Sequence, residues 1–160
     1  MNTLKGKFIP RNTSKYRGDY RNIIYRSSWE LKFMKYCDLN QNILEWGSEE
    51  IAIPYRSPLD GRVHRYFVDF YIKVLDVNGD VQKYLVEVKP KKQTREPKKQ
   101  QRMTKSYIYE VTEYVKNQAK WEAAREFCED NRMQFKIITE DELKVWINYV
   151  VEIQLPRIVT

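Results

Sequence analysis

Two alternating runs joined by Asn78-Gly79 constrain the fold more than any other stretch of the chain. Between His64 and Asp76, Tyr66, Val68, Phe70, Ile72 and Val74 share one face of an extended strand, while Phe67, Asp69, Tyr71 and Lys73 share the other. Between Val81 and Lys89, Tyr84, Val86 and Val88 take one face and Leu85, Glu87 and Lys89 the opposite one. Asn and Gly both tolerate the positive φ of a tight turn, so the two runs read as a β-hairpin. Parity then decides where the charges go. An even turn centred on Asn78 and Gly79 sets Asp69 against Val88, on the wrong side from Glu87. Only an odd register lets the two carboxylates converge, which calls for a three- or five-residue loop or a β-bulge between positions 69 and 87.

A carboxylate on a strand among apolar neighbours needs a partner or a role. Asp69 and Glu87, with Lys89 two residues on along the same face, suit phosphodiester hydrolysis, which needs nucleophilic water near neutral pH and charge stabilisation at phosphorus. Mg²⁺, or Mn²⁺ in its place, keeps several waters and binds through one or two carboxylates. Asp69 and Glu87 are therefore a sufficient protein contribution, with the Val88 carbonyl as a third ligand. Lys89 would direct its ammonium at the attacking water or the developing charge. A Glu-x-Lys pair alone is often only a solvated strand face. Here the isolated Asp69, the apolar Tyr84-Leu85-Val86 before Glu87 and the lysine-rich segment after it supply context.

The 160 residues fit one domain with a real core, and 42% hydrophobic with 32% charged residues is a globular composition. No apolar stretch is long enough for a membrane span or a signal-like core, so a cytoplasmic protein without membrane contact is expected. Cys37 and Cys128 fall in helical patterns and read as small core residues, and His64, the single histidine, has no company for a catalytic triad. Nothing in the chain calls for an organic cofactor.

Net charge is +7 and unevenly spread. Residues 1–26 contribute +6 and residues 90–102 contribute +5, leaving the remainder at −4. Concentrated positive charge neutralises phosphates and releases counterions, so DNA contacts are expected from Lys15, Arg17, Arg21 and Arg26 in the first segment and Lys91, Lys92, Lys98 and Lys99 in the second. The alternative for both is solubility alone.

Residues 1–26 show no clean apolar period and read as an irregular basic arm preceding a domain over 27–160. Ser27-Ser28-Trp29-Glu30 has the form of a capping box for a helix ending near Leu39. A strand over 50–56 and a turn at Ser57–Gly61 follow. Tyr107–Val115 fits strand and helix periodicity equally. Asn117 caps a helix to about Asp130, Gln134–Ile138 is a strand, and Thr139–Glu142 is a second capping box opening a helix through about Tyr149.

Five ordered blocks carry a resemblance: Ser28-x-Glu30, Arg65-Tyr66-x-x-Asp69-Phe70, Leu85-x-Glu87-x-Lys89-Pro90, Asn117-x-x-Lys120-Trp121-x-x-Ala124 and Phe135-x-Ile137-Ile138-Thr139-Glu140. Together they resemble the PD-(D/E)xK nucleases, in particular the TnsA-like branch. Val68 stands where the family name has proline, which holds no metal, and Glu87 stands where some TnsA-like members have glutamine. The resemblance implies an α/β, restriction-endonuclease-like fold, a central mixed β-sheet flanked by helices, and divalent-metal-dependent DNA cleavage. It makes Glu30 an auxiliary carboxylate, although the N3 position of a capping box explains Glu30 equally well. It also brings Lys120 forward as a phosphate contact, against the reading of a solvated helix lysine. Tyr107, Tyr109 and Tyr114 read either as core or as platforms for unpaired bases.

The chain's length and basic arm further resemble bacteriophage members of the branch that finish packaged heads before tail joining. That implies DNA and head or portal-region proteins as partners, in the cytoplasm of the infected bacterial host or on the virion. Since phosphate contacts carry no sequence information, cleavage is expected to be of low sequence specificity. The rival reading is a non-catalytic DNA-binding or head-docking assembly protein that retains the nuclease fold.

Overall fold

The computed structural model describes residues 4–145. A four-stranded mixed sheet runs in the order β3-β6-β7-β8, formed by β3 (Ile43–Ser48), β6 (Phe70–Leu75), β7 (Val81–Val88) and β8 (Gln134–Ile138). Strand β6 pairs antiparallel with both β3 and β7, and β8 lies parallel to β7, joined to it by the long helix α2 (Lys105–Asp130). A parallel pair needs such a crossover. Helix α1 (Ser28–Leu39) packs on one face, where Phe33, Met34 and Cys37 meet Trp46, Phe70, Ile72 and Val86. On the other face Trp121, Ala124 and Cys128 of α2 meet Leu85 and Ile137. The expected mixed sheet flanked by helices is therefore present. Both cysteines are buried and free. Among the described residues no helix is long and apolar enough to cross a membrane.

The hairpin between β6 and β7 is odd. Leu75 pairs with Val81, the Asp76 N–H donates to the Asp80 carbonyl at 2.8 Å, and Gly79 takes φ 81° at the tip. The Asp76 carboxylate accepts from the N–H groups of Asn78 and Asp80, both at 2.9 Å, and fixes the loop. This is the parity that brings residues 69 and 87 together.

The run from His64 to Asp76 is not one strand. It breaks at Val68-Asp69 into β5 (Val63–Phe67), which pairs with β4 (Ala52–Arg56) in a separate ribbon, and β6. The break exchanges faces, so that Tyr66 and Val68 pack on the α2 side while Phe70 and Ile72 pack on the α1 side. Gly47 interrupts the alternation of β3 and conceals that strand from sequence reading. The glycine is required by a close approach, because a Cβ there would lie 2.9 Å from the Arg17 carbonyl.

Of the segment expected to be an irregular basic arm, the described residues 4–26 pack into the fold. Strands β1 (Gly6–Phe8) and β2 (Ile23–Tyr25) pair, and Phe8, Tyr16 and Ile23 enter the core, with Phe8 and Tyr16 packed edge-on against Trp46 at 5.8 and 4.8 Å. Lys15, expected to contact DNA, instead donates to the carbonyls of Cys37, Asp38 and Asn40 at 2.7, 3.1 and 2.8 Å. Helix α1 has no basic residue in its last turn, so this ammonium satisfies the orphan carbonyls and the negative end of the dipole from 22 residues away. The buried Asp38 carboxylate is matched in turn by the N–H groups of Arg11 and Asn12 at 2.8 and 3.0 Å.

Asn117 does not cap a helix. It lies buried inside α2, whose 26 residues begin at an N-cap Thr104 that accepts from the Tyr107 N–H at 3.1 Å. The ambiguous stretch Tyr107–Val115 is the first half of this helix. Directly after β8, Thr139 and Glu142 form the expected capping box, and the helix it opens is described over 140–145; its expected end near Tyr149 lies outside the described residues.

Lys15→Met should cost about 2–3 kcal/mol in urea unfolding, since three carbonyls lose a charged donor. Lys7→Met, on the exposed edge of the same segment, should stay within about 0.5 kcal/mol.

Candidate active site

One step beyond the Phe70–Val86 pair, the same register sets Asp69 across from Glu87. Asp69 sits at the bend between β5 and β6, where its Oδ2 accepts from the Val88 N–H at 2.8 Å. Glu87, only 4% exposed, lies on the α2 side of β7. Its Oε2 accepts from the Tyr66 hydroxyl at 2.5 Å, and its Oε1 is 3.7 Å from the Lys89 Nζ. Lys89 itself is anchored at the end of the sheet by its N–H, which donates to the Ile138 carbonyl at 2.9 Å.

Two like-charged carboxyls held face to face in a partly dry site resist ionisation. Burial pushes the Asp69 carboxyl well above the ordinary range, and Glu87 and Glu30 push it further, against the Val88 N–H and Lys89. Glu87 is also raised by burial, with Lys89, the Tyr66 hydroxyl, the Asp69 N–H and Lys120 pulling the other way. Burial, then the neighbouring Glu87 charge, holds the Tyr66 hydroxyl protonated as a donor. Such a pair is short of positive charge. Asp69 and Glu87 are two hard oxygen donors, the number that a Mg²⁺ or Mn²⁺ ion takes from protein while keeping its waters. Among the described residues no larger group of His, Cys, Asp or Glu side chains is placed to hold a metal ion.

Glu30 stands at the edge of this centre. Its N–H donates to the Ser27 hydroxyl oxygen at 3.1 Å, while its Oε2 accepts from the Arg26 N–H at 2.9 Å. The capping reading is therefore correct for the backbone. Burial raises the Glu30 carboxyl, Glu49 adds to the shift, and Lys89 opposes it, so the side chain also lies within the electrostatic reach of the site.

Lys120 is brought to the centre by α2. Its ammonium sits over the rings of Tyr66 and Tyr55 at 5.4 and 5.8 Å, and burial with nearby Lys116 lowers its pKa while Glu87 holds it up.

The other basic positions divide. Arg17, still largely exposed, pairs with Glu45 at 3.0 Å, and the half-exposed Arg26 pairs with Glu49 at 2.5 Å. Lys91 pairs with Asp141 at 2.9 Å. Arg21 lies exposed over the Tyr20 ring, and Lys92, Lys98 and Lys99 are exposed. A cavity of about 860 Å³ opens between this loop and the first half of α2, lined by Lys98, Tyr109, Tyr114 and Asn117 among others. Tyr109, 66% exposed, is no core residue.

Two residues of the site escape sequence reading. Alternation puts Tyr66 on the face opposite Asp69, and only the break at Val68 turns it toward Glu87. Glu49 takes φ 53°, a left-handed conformation that costs a non-glycine residue on the order of 1 kcal/mol, and its N–H donates to the Asp69 carbonyl at 3.1 Å. No periodic signal marks it.

Comparison with known proteins follows the same residues. The family model described as TnsA-like endonuclease N terminal matches residues 40–140, which include Asp69, Glu87, Lys89 and Lys120. The head completion nuclease of Enterobacteria phage T4 is 41% identical over 143 residues, covering 87% of this chain and 93% of that protein.

Asp69→Asn keeps an acceptor for the Val88 N–H and removes one of two opposed charges. In EDTA it should raise the melting temperature by about 2–4 °C, the shift expected of ~1 kcal/mol at this size. The parent protein should gain thermal stability from millimolar Mg²⁺ and the variant should not, as read by calorimetry.

Proposed function

Because the chain belongs to the TnsA-like endonuclease family, we propose that it is a divalent-metal-dependent DNA nuclease whose site is Asp69, Glu87 and Lys89. The observation that carries this reading is the register that opposes Asp69 to Glu87 with the Lys89 ammonium 3.7 Å from the latter. Asp69, Glu87 and the Val88 carbonyl are the groups to hold Mg²⁺ or Mn²⁺. When bound there, the ion supplies Lewis-acid stabilisation of phosphate charge and lowers the pKa of water.

The chain's own groups do the rest. Tyr66 fixes the rotamer of Glu87 through its short hydrogen bond, and the Val88 N–H fixes Asp69. Lys89 places positive charge where the phosphorane develops it, which is the kind of electrostatic support that contributes most to such reactions. Lys120, desolvated beside the same carboxylate, is positioned to meet the phosphate. Glu30 acts as an auxiliary carboxylate at the edge. Exposed Lys92, Lys98 and Lys99 grip the backbone, and because backbone contacts do not read bases, cleavage is of low sequence specificity.

The T4 relative's name supports placing this activity in phage head completion after DNA packaging. On that reading the partners are DNA and head or portal-region proteins, in the cytoplasm of the infected host or on the virion.

Asp69→Asn and Glu87→Gln should each lower Mg²⁺-dependent cleavage by at least about 10³-fold with DNA binding kept, whereas a docking protein with a relict fold would show no cleavage to lose. The assay compares circular, blunt, overhanging and flapped DNA in Mg²⁺ or EDTA. Parent-like cleavage by both variants would place the site elsewhere. Replacing Lys92, Lys98 and Lys99 together by Ala should flatten the slope of log affinity against log salt by about 0.9 for each duplex phosphate that the loop no longer neutralises. An unchanged slope would remove this loop from the interface.

A further inference from the structure

Arg26 and Glu49 lie outside the set that the reaction requires, yet both are tied to it on two sides. The Arg26 N–H donates to Glu30 Oε2 at 2.9 Å, and its guanidinium pairs with Glu49 Oε2 at 2.5 Å. The Glu49 N–H then donates to the carbonyl of Asp69 at 3.1 Å. A continuous path thus runs from the auxiliary carboxylate on α1, through one ion pair, to the bend that carries Asp69. Glu49 holds φ 53°, a conformation that strands and their ordinary exits do not need, at the end of β3 where an unstrained glycine would serve. Strain of this kind persists where the surroundings over-determine it, and it clusters at functional sites.

We propose that the Arg26–Glu49 pair is a positioning clamp that sets Glu30 and Asp69 at their working separation. It acts through those two residues and touches neither phosphate nor the reacting atoms. The alternative role for Arg26, a phosphate contact, is disfavoured by the geometry, because its guanidinium is already engaged by a carboxylate.

The inference rests on the nuclease reading, and its test separates the two. Purified full-length Arg26→Ala, Glu49→Ala, the double variant, Arg26→Lys and Glu49→Gly are assayed for cleavage of linear and heat-denatured plasmid DNA across a Mg²⁺ series, with Asp69→Asn in parallel. A clamp predicts that each alanine variant loses about 10- to 100-fold in kcat with little change in KM, and needs more Mg²⁺ for half-maximal rate. The double variant should be no worse than the poorer single one, because both break the same link. Arg26→Lys should recover part of the rate.

Glu49→Gly relieves the positive φ, so it should fold at least as stably as the parent by urea midpoint and still show the kcat loss, which a purely structural role would not produce. A rise in KM for Arg26→Ala at unchanged kcat would overturn the clamp in favour of a phosphate contact. Parent-like kinetics in Glu49→Gly while Asp69→Asn is dead would also overturn it. Cleavage surviving in Asp69→Asn would instead defeat the nuclease site itself.

Discussion

The opposition of Asp69 and Glu87 across neighbouring antiparallel strands is the constraint on which the rest of the molecule depends. Two carboxylates facing each other at the end of a sheet repel, and burial makes the repulsion worse. Nothing in packing rewards this arrangement. The fold nevertheless takes steps to keep it: an odd loop pinned by the Asp76 carboxylate, a Val88 N–H aimed at Asp69, and a tyrosine hydroxyl aimed at Glu87. Stability given up at one spot and compensated around it is what the proposed reading of the pair as a chemical site requires.

The interruption of the strand at Val68-Asp69 explains how so many groups reach one point. A continuous strand would send Tyr66 to the face away from Asp69. Ending β5 there lets the β4–β5 ribbon swing over α2 and present Tyr66 to Glu87 from the side, while β6 continues in the main sheet. Helix α2 then closes the same face with Lys120, whose ammonium covers the Tyr66 ring. Each contributor is on a regular element or one residue from its end, which limits the freedom of the site without any loop having to be ordered.

Sequence alone reaches the centre of this arrangement because its signals there are local and periodic. Alternation marks β7, parity demands the odd hairpin, and capping residues mark α1 and the turn at Thr139. What stays hidden is long-range. Lys15 looks like any surface lysine until the end of α1 is placed over it, 22 residues on, and Arg17 and Arg26 look like phosphate contacts until Glu45 and Glu49 are set beside them. The first half of α2 has no readable period because only its later turns, at Trp121, Ala124 and Cys128, meet the sheet with a continuous buried stripe. Glu49 is invisible to sequence reading, since a strained backbone angle leaves no mark in composition.

The fate of the basic residues bears on how such a protein would meet its substrate. Charge counted along the chain assigns the greater share to residues 1–26, yet three of the seven cations there are paired within the fold: one stabilises the end of a helix and two pair with acids of β3 and its exit. Charge that is paired at close range contributes little to the field outside the protein. That leaves Lys5, Lys7, Arg11 and Arg21 exposed in the first segment and Lys92, Lys98 and Lys99 exposed after β7, the latter following closely on Lys89 along the chain. On the proposed reading, exposed lysines just beyond β7 would put capture of a phosphate backbone on surface adjoining Asp69 and Glu87. Lys15, Arg17 and Arg26, by contrast, are paired with groups of the fold itself.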